Sequence, residues 1–149
     1  MRAVVQRVKS SKVEVDNKVI GEIGKGINLL VGISKNDTKE DIDYIVRKVL
    51  GMRIFEDENG KMNFSIKDIE GELLIISQFT LYGDCRKGKR PDFMQAQGGD
   101  IAIELYNELV EAFKKEIPNL KTGKFGADMK VEIINDGPVT LLLESKKDF

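Results

Sequence analysis

The sequence lacks histidine and tryptophan, and it has a single cysteine, Cys85, among its 149 residues. Without histidine there is no Ser-His-Asp or Cys-His arrangement, no imidazole general base and no histidine metal ligand. One cysteine excludes an intrachain disulfide and a multi-cysteine zinc or iron–sulfur site. If the chain is an enzyme, it therefore uses hydroxyls, amides, carboxylates, amines, backbone dipoles or its own substrate.

Long hydrophobic runs are also missing. No stretch reaches the length of about 18 apolar residues that a membrane span needs, and the apolar start is too short for the core of a signal peptide. Together with the single cysteine, this favours a cytoplasmic protein that does not contact a membrane. The 24 Lys and Arg nearly balance the 25 Asp and Glu, so nucleic acid would have to be bound by a local basic patch rather than by the whole surface.

The hydrophobic pattern predicts one α/β domain that spans residues 1–149. Short strands separated by tight turns are expected over 4–8, 13–15, 19–23, 27–33, 72–79, 129–134 and 139–144. One helix should begin after Asp37 or Thr38 and close near Gly51, and a second should run from about Asp100 until Pro118 stops it. We expect mixed or antiparallel, barrel-like sheets covered by these two main helices.

The first candidate site is the run Ser77-Gln78-Phe79-Thr80, which follows a strongly apolar strand. Polar side chains often meet ligands at the rim where a buried strand ends. Serine and threonine offer hydroxyls, and glutamine offers an amide that both donates and accepts. The alternative is that Ser77 and Thr80 only satisfy backbone groups at the strand end.

Further candidates lie in two loops. Asn135-Asp136-Gly137-Pro138 is typical of a hairpin turn, but a proline at the head of a strand removes a ladder donor, and a Gly-Pro bond can be cis. The basic residues Arg86, Lys87, Lys89 and Arg90 in the long loop 83–99 are candidates for a phosphate contact or for an ordinary solvated loop.

Two weaker signals predict no site. A thiol nucleophile at Cys85 has no histidine to activate it. The acidic turn 57–60 lacks the spacing of a calcium loop. We expect no metal and no cofactor, and the chain has neither a P-loop nor a dinucleotide-binding fingerprint.

Several of these motifs, in their order along the chain, resemble those of the D-aminoacyl-tRNA deacylase family. The matching stretches are Val5-Gln6-Arg7-Val8, Gly21-Glu22-Ile23-Gly24, Leu50-Gly51-Met52-Arg53-Ile54-Phe55, Gly60-Lys61-Met62-Asn63, Ser77-Gln78-Phe79-Thr80-Leu81, Arg90-Pro91, Thr122-Gly123-Lys124-Phe125, Ala127-Asp128-Met129 and Asn135-Asp136-Gly137-Pro138-Val139-Thr140. The resemblance covers essentially the whole chain, and neither of the two signatures, 77–80 and 137–138, departs from the family pattern.

The resemblance implies a homodimeric hydrolase that cleaves the ester between a D-amino acid, or glycine, and the terminal ribose of tRNA. It implies that Ser77, Gln78, Phe79 and Thr80 line the pocket and that Met129 lies near the terminal adenine. The Gly137–Pro138 bond should be cis and reach into the partner's pocket, where its carbonyls hold the substrate amino group and an L side chain would clash. Arg7 should brace this turn.

Two mechanisms and two other functions stay open. Either Thr80 attacks the ester, or the ribose 2′-hydroxyl assists attack by water, which we favour because no histidine base is present. Gln78 and Thr80 would then donate to the developing oxyanion. The alternatives are a related deacylase that removes L-alanine from mischarged tRNA, which by resemblance carries a trans Gly-Pro bond, and a non-catalytic RNA-binding module.

Overall fold

The computed structural model describes all residues from Met1 to Phe149. In chain order its elements are β1 (Arg2–Val15), β2 (Lys18–Ile23), β3 (Gly26–Gly32), α1 (Lys39–Gly51), β4 (Phe55–Glu56), β5 (Met62–Phe64), β6 (Glu72–Ser77), a 3₁₀-helix (Phe79–Tyr82), α2 (Gly99–Lys114), β7 (Lys121–Thr122) and β8 (Lys130–Glu144). The predicted α/β fold with two main helices is confirmed. No helix is both long and apolar enough to cross a membrane.

Six strands form one curved, mixed sheet. Its order is β2-β1-β3-β6-β7, and β8 pairs with β1. The pairs β3–β6 and β6–β7 are parallel, whereas β1 is antiparallel to each of its three neighbours. The sheet curls until its ends approach, since a Cβ added to Gly21 in β2 would lie 3.2 Å from the carbonyl oxygen of Thr122 in β7. This near closure gives the predicted barrel-like form.

Strand β8 corrects the prediction of a hairpin at 135–138. It continues along β1 in one direction, so that Val8 pairs with Asn135 and Gln6 pairs with Thr140. Only Arg7 of β1 therefore lies opposite the four residues 136–139, which bulge out of the ladder instead of reversing the chain. Strand β1 is likewise one long strand where the sequence predicted two, because its polar middle pairs with β8.

Two other boundaries differ from the prediction. The strand predicted to reach Phe79 ends at Ser77, because Phe79 already belongs to the 3₁₀-helix. Helix α2 ends at Lys114 rather than at Pro118. Its last turn tightens, since the amides of Glu116 and Ile117 both donate to the carbonyl of Phe113.

The main core lies between the helices and the sheet. The apolar residues that repeat at helical spacing along the two helices pack into this core, and three of them, Val46, Leu50 and Leu105, are only half-buried. Its members include Ile42, Ile45 and Val49 of α1, Tyr106, Leu109 and Phe113 of α2, and Val5, Ile27, Leu29, Leu73 and Ile75 of the sheet. This packing fixes α2 against the strands whose ends carry the candidate site.

The start of α1 is held by a buried carboxylate. Asp41 Oδ2 accepts from the Thr38 amide at 2.8 Å and from Lys146 Nζ at 2.9 Å. Burial by itself would raise the pKa of Asp41, but hydrogen bonds from Ser145, Lys146 and Thr38 outweigh it and hold the pKa well below its usual range. The ionised form is therefore the one that stabilises the fold.

Asp41→Asn is expected to lower the free energy of unfolding at pH 7 by about 1–2 kcal/mol, because it removes charge-assisted hydrogen bonds. The folded pKa lies below the unfolded value of about 3.9, so this contribution is present above that pH and is lost as the pH falls below about 4. When urea denaturation is measured across this pH range, the free energy of unfolding should fall less steeply toward acid pH in the variant than in the wild type. Equal pH dependence in both proteins would contradict the assignment.

Candidate active site

A cavity of about 300 Å³ opens where β3 and β6 end, beside the start of α2. The two strands are parallel and Val31 pairs with Ser77, so their carboxyl ends lie at the same edge of the sheet. Open sheets commonly bind ligands at such an edge. The remaining walls come from Gln97, Ala102 and the segment 125–129.

Three of the four residues in the Ser77–Thr80 run line this cavity. Gln78 is the first residue after β6, and its backbone amide donates to the Val31 carbonyl at 2.7 Å. At this bond the chain turns toward the opening of the cavity. The Phe79 ring is 56% exposed and meets Phe93 edge-on, with ring centroids 5.1 Å apart. Thr80 lies one residue further on, is exposed and does not line the wall.

Thr80 is linked to the cavity through Gln78, whose side-chain amide donates to the Thr80 hydroxyl oxygen. The Thr80 hydroxyl hydrogen and the second Gln78 amide hydrogen are left free to donate to a substrate oxygen. No hydrogen bond joins Thr80 to a carboxylate or an amine, so no group is placed to take its proton. The pair is therefore better suited to stabilise an oxyanion than to attack a carbonyl.

Much of the remaining lining of the cavity is apolar, and Asp128 is the one charged residue in it. Met129 lines it together with Phe125 and Val131. A Cβ at Gly123 would lie 2.5 Å from the Met129 sulfur, so a larger residue at 123 would require the Met129 side chain to shift. A flat, apolar group fits such a wall.

Two wall residues carry no clear signal in the sequence. Ala102 recurs at helical spacing with the buried residues of α2, a pattern that indicates only a core position, and its small side chain leaves room for the cavity. Gln97 lies in the irregular loop before α2, and its backbone amide donates to the Ile33 carbonyl at 2.8 Å. Gln97 and Ile33, the residue after β3, lie 64 positions apart, so this contact is set by the tertiary fold.

Gly137 and Pro138 do not line the cavity of their own chain. They are exposed on the bulge of β8. The peptide bond between them is cis, the isomer that the resemblance implies. The structure therefore brings Ser77, Gln78, Phe79 and Met129 together and leaves the Gly-Pro pair elsewhere on the surface.

Arg7 lies directly against this bulge, as the resemblance implies. Its side chain is only 7% exposed, and Nε donates to the carbonyl of Asp136 at 3.0 Å. Its Nη1 donates to the carbonyl of Ile54 at 2.7 Å. The carboxylates of Asp136 and Glu56 lie 3.7 and 3.9 Å away and balance the buried charge.

The four basic candidates of the 83–99 loop are exposed, and none lines the cavity. Arg86 is held by the carboxylate of Asp84 at 2.6 Å, and the Arg86 side chain keeps the pKa of Asp84 well below its usual range. Lys87, Lys89 and Arg90 make no ion pair and present free charge to solvent. Cys85 in the same loop is exposed as a free thiol.

Comparisons with known proteins agree over the whole chain. The family model described as D-Tyr-tRNA(Tyr) deacylase matches residues 4–144. The D-aminoacyl-tRNA deacylase of Clostridium botulinum (strain Langeland) is 67% identical over 149 residues, which is 100% of both chains. The protein of the same name from Clostridium acetobutylicum is 62% identical over the same length.

Solved structures give the same picture. One named "c-Myc DNA Unwinding Element Binding Protein" has a TM-score of 0.92 and 46% identity, and covers 97% of this chain and 98% of its own. A probable eukaryotic D-amino acid tRNA deacylase has a TM-score of 0.83 over 95% of this chain and 97% of its own; its 20% identity shows a shared fold alone. The α/β fold is thus shared with both solved structures. The chain belongs to the D-Tyr-tRNA(Tyr) deacylase family.

Proposed function

We propose that the chain, as one catalytic domain spanning residues 1–149, hydrolyses the ester of D-aminoacyl-tRNA in the cytoplasm and releases the D-amino acid and free tRNA. The observation that carries the proposal is the position of Ser77, Gln78 and Phe79 on the wall of a cavity in a member of this family. The products are those of ester hydrolysis, so no redox partner or cofactor is required.

The geometry supports attack by water rather than by the protein. Water adds to the ester carbonyl carbon, its proton passes toward the ribose, and the bond between the carbonyl carbon and the ribose oxygen breaks. Gln78 and Thr80 donate hydrogen bonds to the carbonyl oxygen as it becomes negative, and one such donor is typically worth roughly 3–4 kcal/mol. The ribose 2′-hydroxyl, next to the reacting ester, assists the water.

Rejection of L-amino acids requires a second copy of the chain. Gly137 and Pro138 are exposed and do not line their own cavity, and in a homodimer they would enter the partner's cavity instead. Their carbonyls would hold the substrate amino group, and an L side chain would then meet the backbone. Glycine, which has no side chain, would be accepted.

Strand β8 is the natural surface for that second copy. It pairs only with β1, so its outer edge has no strand partner. Leu142 is 63% exposed on it, and Ile134 and Leu141 are also exposed. A long, unpaired edge with apolar side chains favours association.

The chain is therefore expected to sediment as a dimer at micromolar concentration, and Leu142→Asp is expected to shift it toward monomer with loss of deacylation. Ile103→Asp, on the exposed side of α2, is the matched control and should leave the dimer intact. A wild-type monomer that retains full activity would contradict a site built across subunits.

The free charges of Lys87, Lys89 and Arg90 favour a contact with the tRNA backbone outside the cavity. Charge reversal at the three residues should raise KM and reduce its dependence on salt, with kcat nearly unchanged. For a non-catalytic RNA-binding module, the same change would remove the only activity, and Gln78→Ala would have no effect.

The proposal is tested by incubating D-tyrosyl-tRNA with the full chain and measuring release of D-tyrosine. Hydrolysis well above the spontaneous rate is expected, and Gln78→Ala, as the control for contaminating enzymes, should lose most of it. Preference for L-alanyl-tRNA would instead favour the related L-alanine deacylase. If neither substrate is hydrolysed, the result would favour the non-catalytic RNA-binding module.

A further inference from the structure

The bulge of β8 leaves the backbone of Val139 without its normal partners. Four residues, 136–139, lie opposite Arg7 alone, so β1 offers them no continuous ladder. A backbone amide and carbonyl that lose their strand partners need other groups to bind them. The Val139 groups are satisfied by the residue just before the bulge.

The side chain of Asn135 supplies both partners. Its Oδ1 accepts from the Val139 amide at 2.8 Å, and its Nδ2 donates to the Val139 carbonyl at 3.3 Å. The same Nδ2 donates to the Thr140 hydroxyl oxygen at 2.9 Å. A carboxamide carries a donor and an acceptor side by side, as a peptide group does, so Asn135 takes the place of the missing strand.

The two ends of the bulge are therefore fixed by different side chains. The Arg7 guanidinium holds the Asp136 carbonyl at 3.0 Å, on the near side of Gly137. Asn135 holds Val139, on the far side of Pro138. Only Gly137 and Pro138 remain between the two fixed points.

The Asn135 contact is also tied into the barrel. Thr140 Oγ1 lies 3.5 Å from the side-chain amide of Gln6, and the Gln6 oxygen lies 3.5 Å from the amide of Asn28, which is fully buried. The Ser11 hydroxyl oxygen in turn lies 3.1 Å from the Asn28 side-chain oxygen and 2.7 Å from the Glu132 carbonyl. This line of polar groups anchors Thr140, and through it Asn135, to the sheet.

We propose that Asn135 is a positioning residue: its side chain fixes the far end of the bulge and so determines where Gly137 and Pro138 meet the substrate. The inference rests on the proposed function, since the selectivity it describes is that of the deacylase site. Asn135 itself touches no substrate. Loss of its contacts lets the Gly-Pro carbonyls move, which weakens their hold on the amino group and opens space for an L side chain.

Asn135→Ala is the direct test, with Asn107→Ala on the exposed side of α2 as the matched control. A displacement of about 1 Å costs about 100-fold in a positioned reaction, so kcat/KM for D-tyrosyl-tRNA should fall about 10- to 100-fold, mainly through KM. The ratio of D to L hydrolysis should fall at least about tenfold on the same grounds. A merely structural role would lower the melting temperature and leave the ratio and KM unchanged, and that result would overturn the proposal.

Two further variants keep the test decisive if Asn135→Ala does not fold. Asn135→Asp keeps the acceptor for the Val139 amide and loses the donor, so it should retain more of the D to L ratio than alanine does. Thr140→Val removes only the link to the barrel and should give a smaller loss. A ratio equal to wild type in both variants would overturn the proposal.

One readout needs no substrate and separates this inference from the proposed function. Hydrogen exchange at the Val139 amide should be slow in the wild type and faster in Asn135→Asp or Asn135→Ala. If the wild type fails to cleave D-tyrosyl-tRNA but the exchange behaves as stated, the proposed function is wrong, but the inference that Asn135 fixes the bulge is retained. If exchange at the Val139 amide is unchanged by the substitution, Asn135 does not fix the bulge, even if the enzyme is active.

Discussion

D-Tyrosyl-tRNA whose terminal adenosine lacks the ribose 2′-hydroxyl is expected to be hydrolysed about 10²- to 10⁴-fold more slowly than the natural substrate, the range typical of a lost acid–base group. The chain has no histidine, and no carboxylate or amine is bonded to Thr80. The proposed mechanism assigns the assistance of the water to the ribose 2′-hydroxyl of the RNA. Single-turnover hydrolysis of the two substrates measures the difference.

The matched protein variant is Thr80→Ala. If Thr80 only donates to the oxyanion, the loss should be about 10²- to 10³-fold, the effect of one missing donor. No acyl-enzyme should be detected by mass spectrometry during turnover. A covalent adduct on Thr80, together with normal cleavage of the deoxy substrate, would contradict water attack and establish Thr80 as the nucleophile.

Gly137→Ala is expected to lower kcat/KM for D-tyrosyl-tRNA about 100-fold or more, because a small displacement of a positioning group has that cost. Gly137 has φ = +133°, a conformation that side-chain-bearing residues rarely adopt. A Cβ there would lie 2.8 Å from Val139 Cγ2 and 3.1 Å from Arg7 Nη2. The bulge has to move to relieve these contacts, and the Gly-Pro carbonyls move with it.

Gly51→Ala is the control for this variant. Gly51 closes α1, its φ is ordinary, and an added Cβ would meet nothing within 4 Å. Thermal denaturation of both variants separates a local change at the bulge from a loss of fold. Wild-type activity and selectivity in Gly137→Ala would contradict the role given to this loop.

The fold class, both helices and the apolar core faces follow from local patterns in the sequence. Helix α1 is bounded by a cap at Thr38 and ends with Gly51, and such signals act over a few residues. The course of β8 is different. Asp136-Gly137 is a common hairpin pair, yet the strand goes straight on, because it pairs with β1 on both sides of the bulge.

The candidate site divides in the same way. The run 77–80 lies at a strand end that the sequence predicts, and the structure opens a cavity there. Gln97 and Ala102 reach that cavity only because α2 packs beside the ends of β3 and β6. The contact of Arg7 with Asp136 joins residues 129 positions apart, which no local pattern encodes; the family resemblance alone indicated it.

The central claim is that this chain is a deacylase that accepts D-aminoacyl-tRNA and rejects the L form. The most direct measurement is the rate of ester hydrolysis with D-tyrosyl-tRNA and L-tyrosyl-tRNA under the same conditions. A clash against the L side chain of about 3 kcal/mol or more predicts a preference for D of at least about 100-fold. Equal rates for the two substrates, or no hydrolysis of either, would contradict the claim.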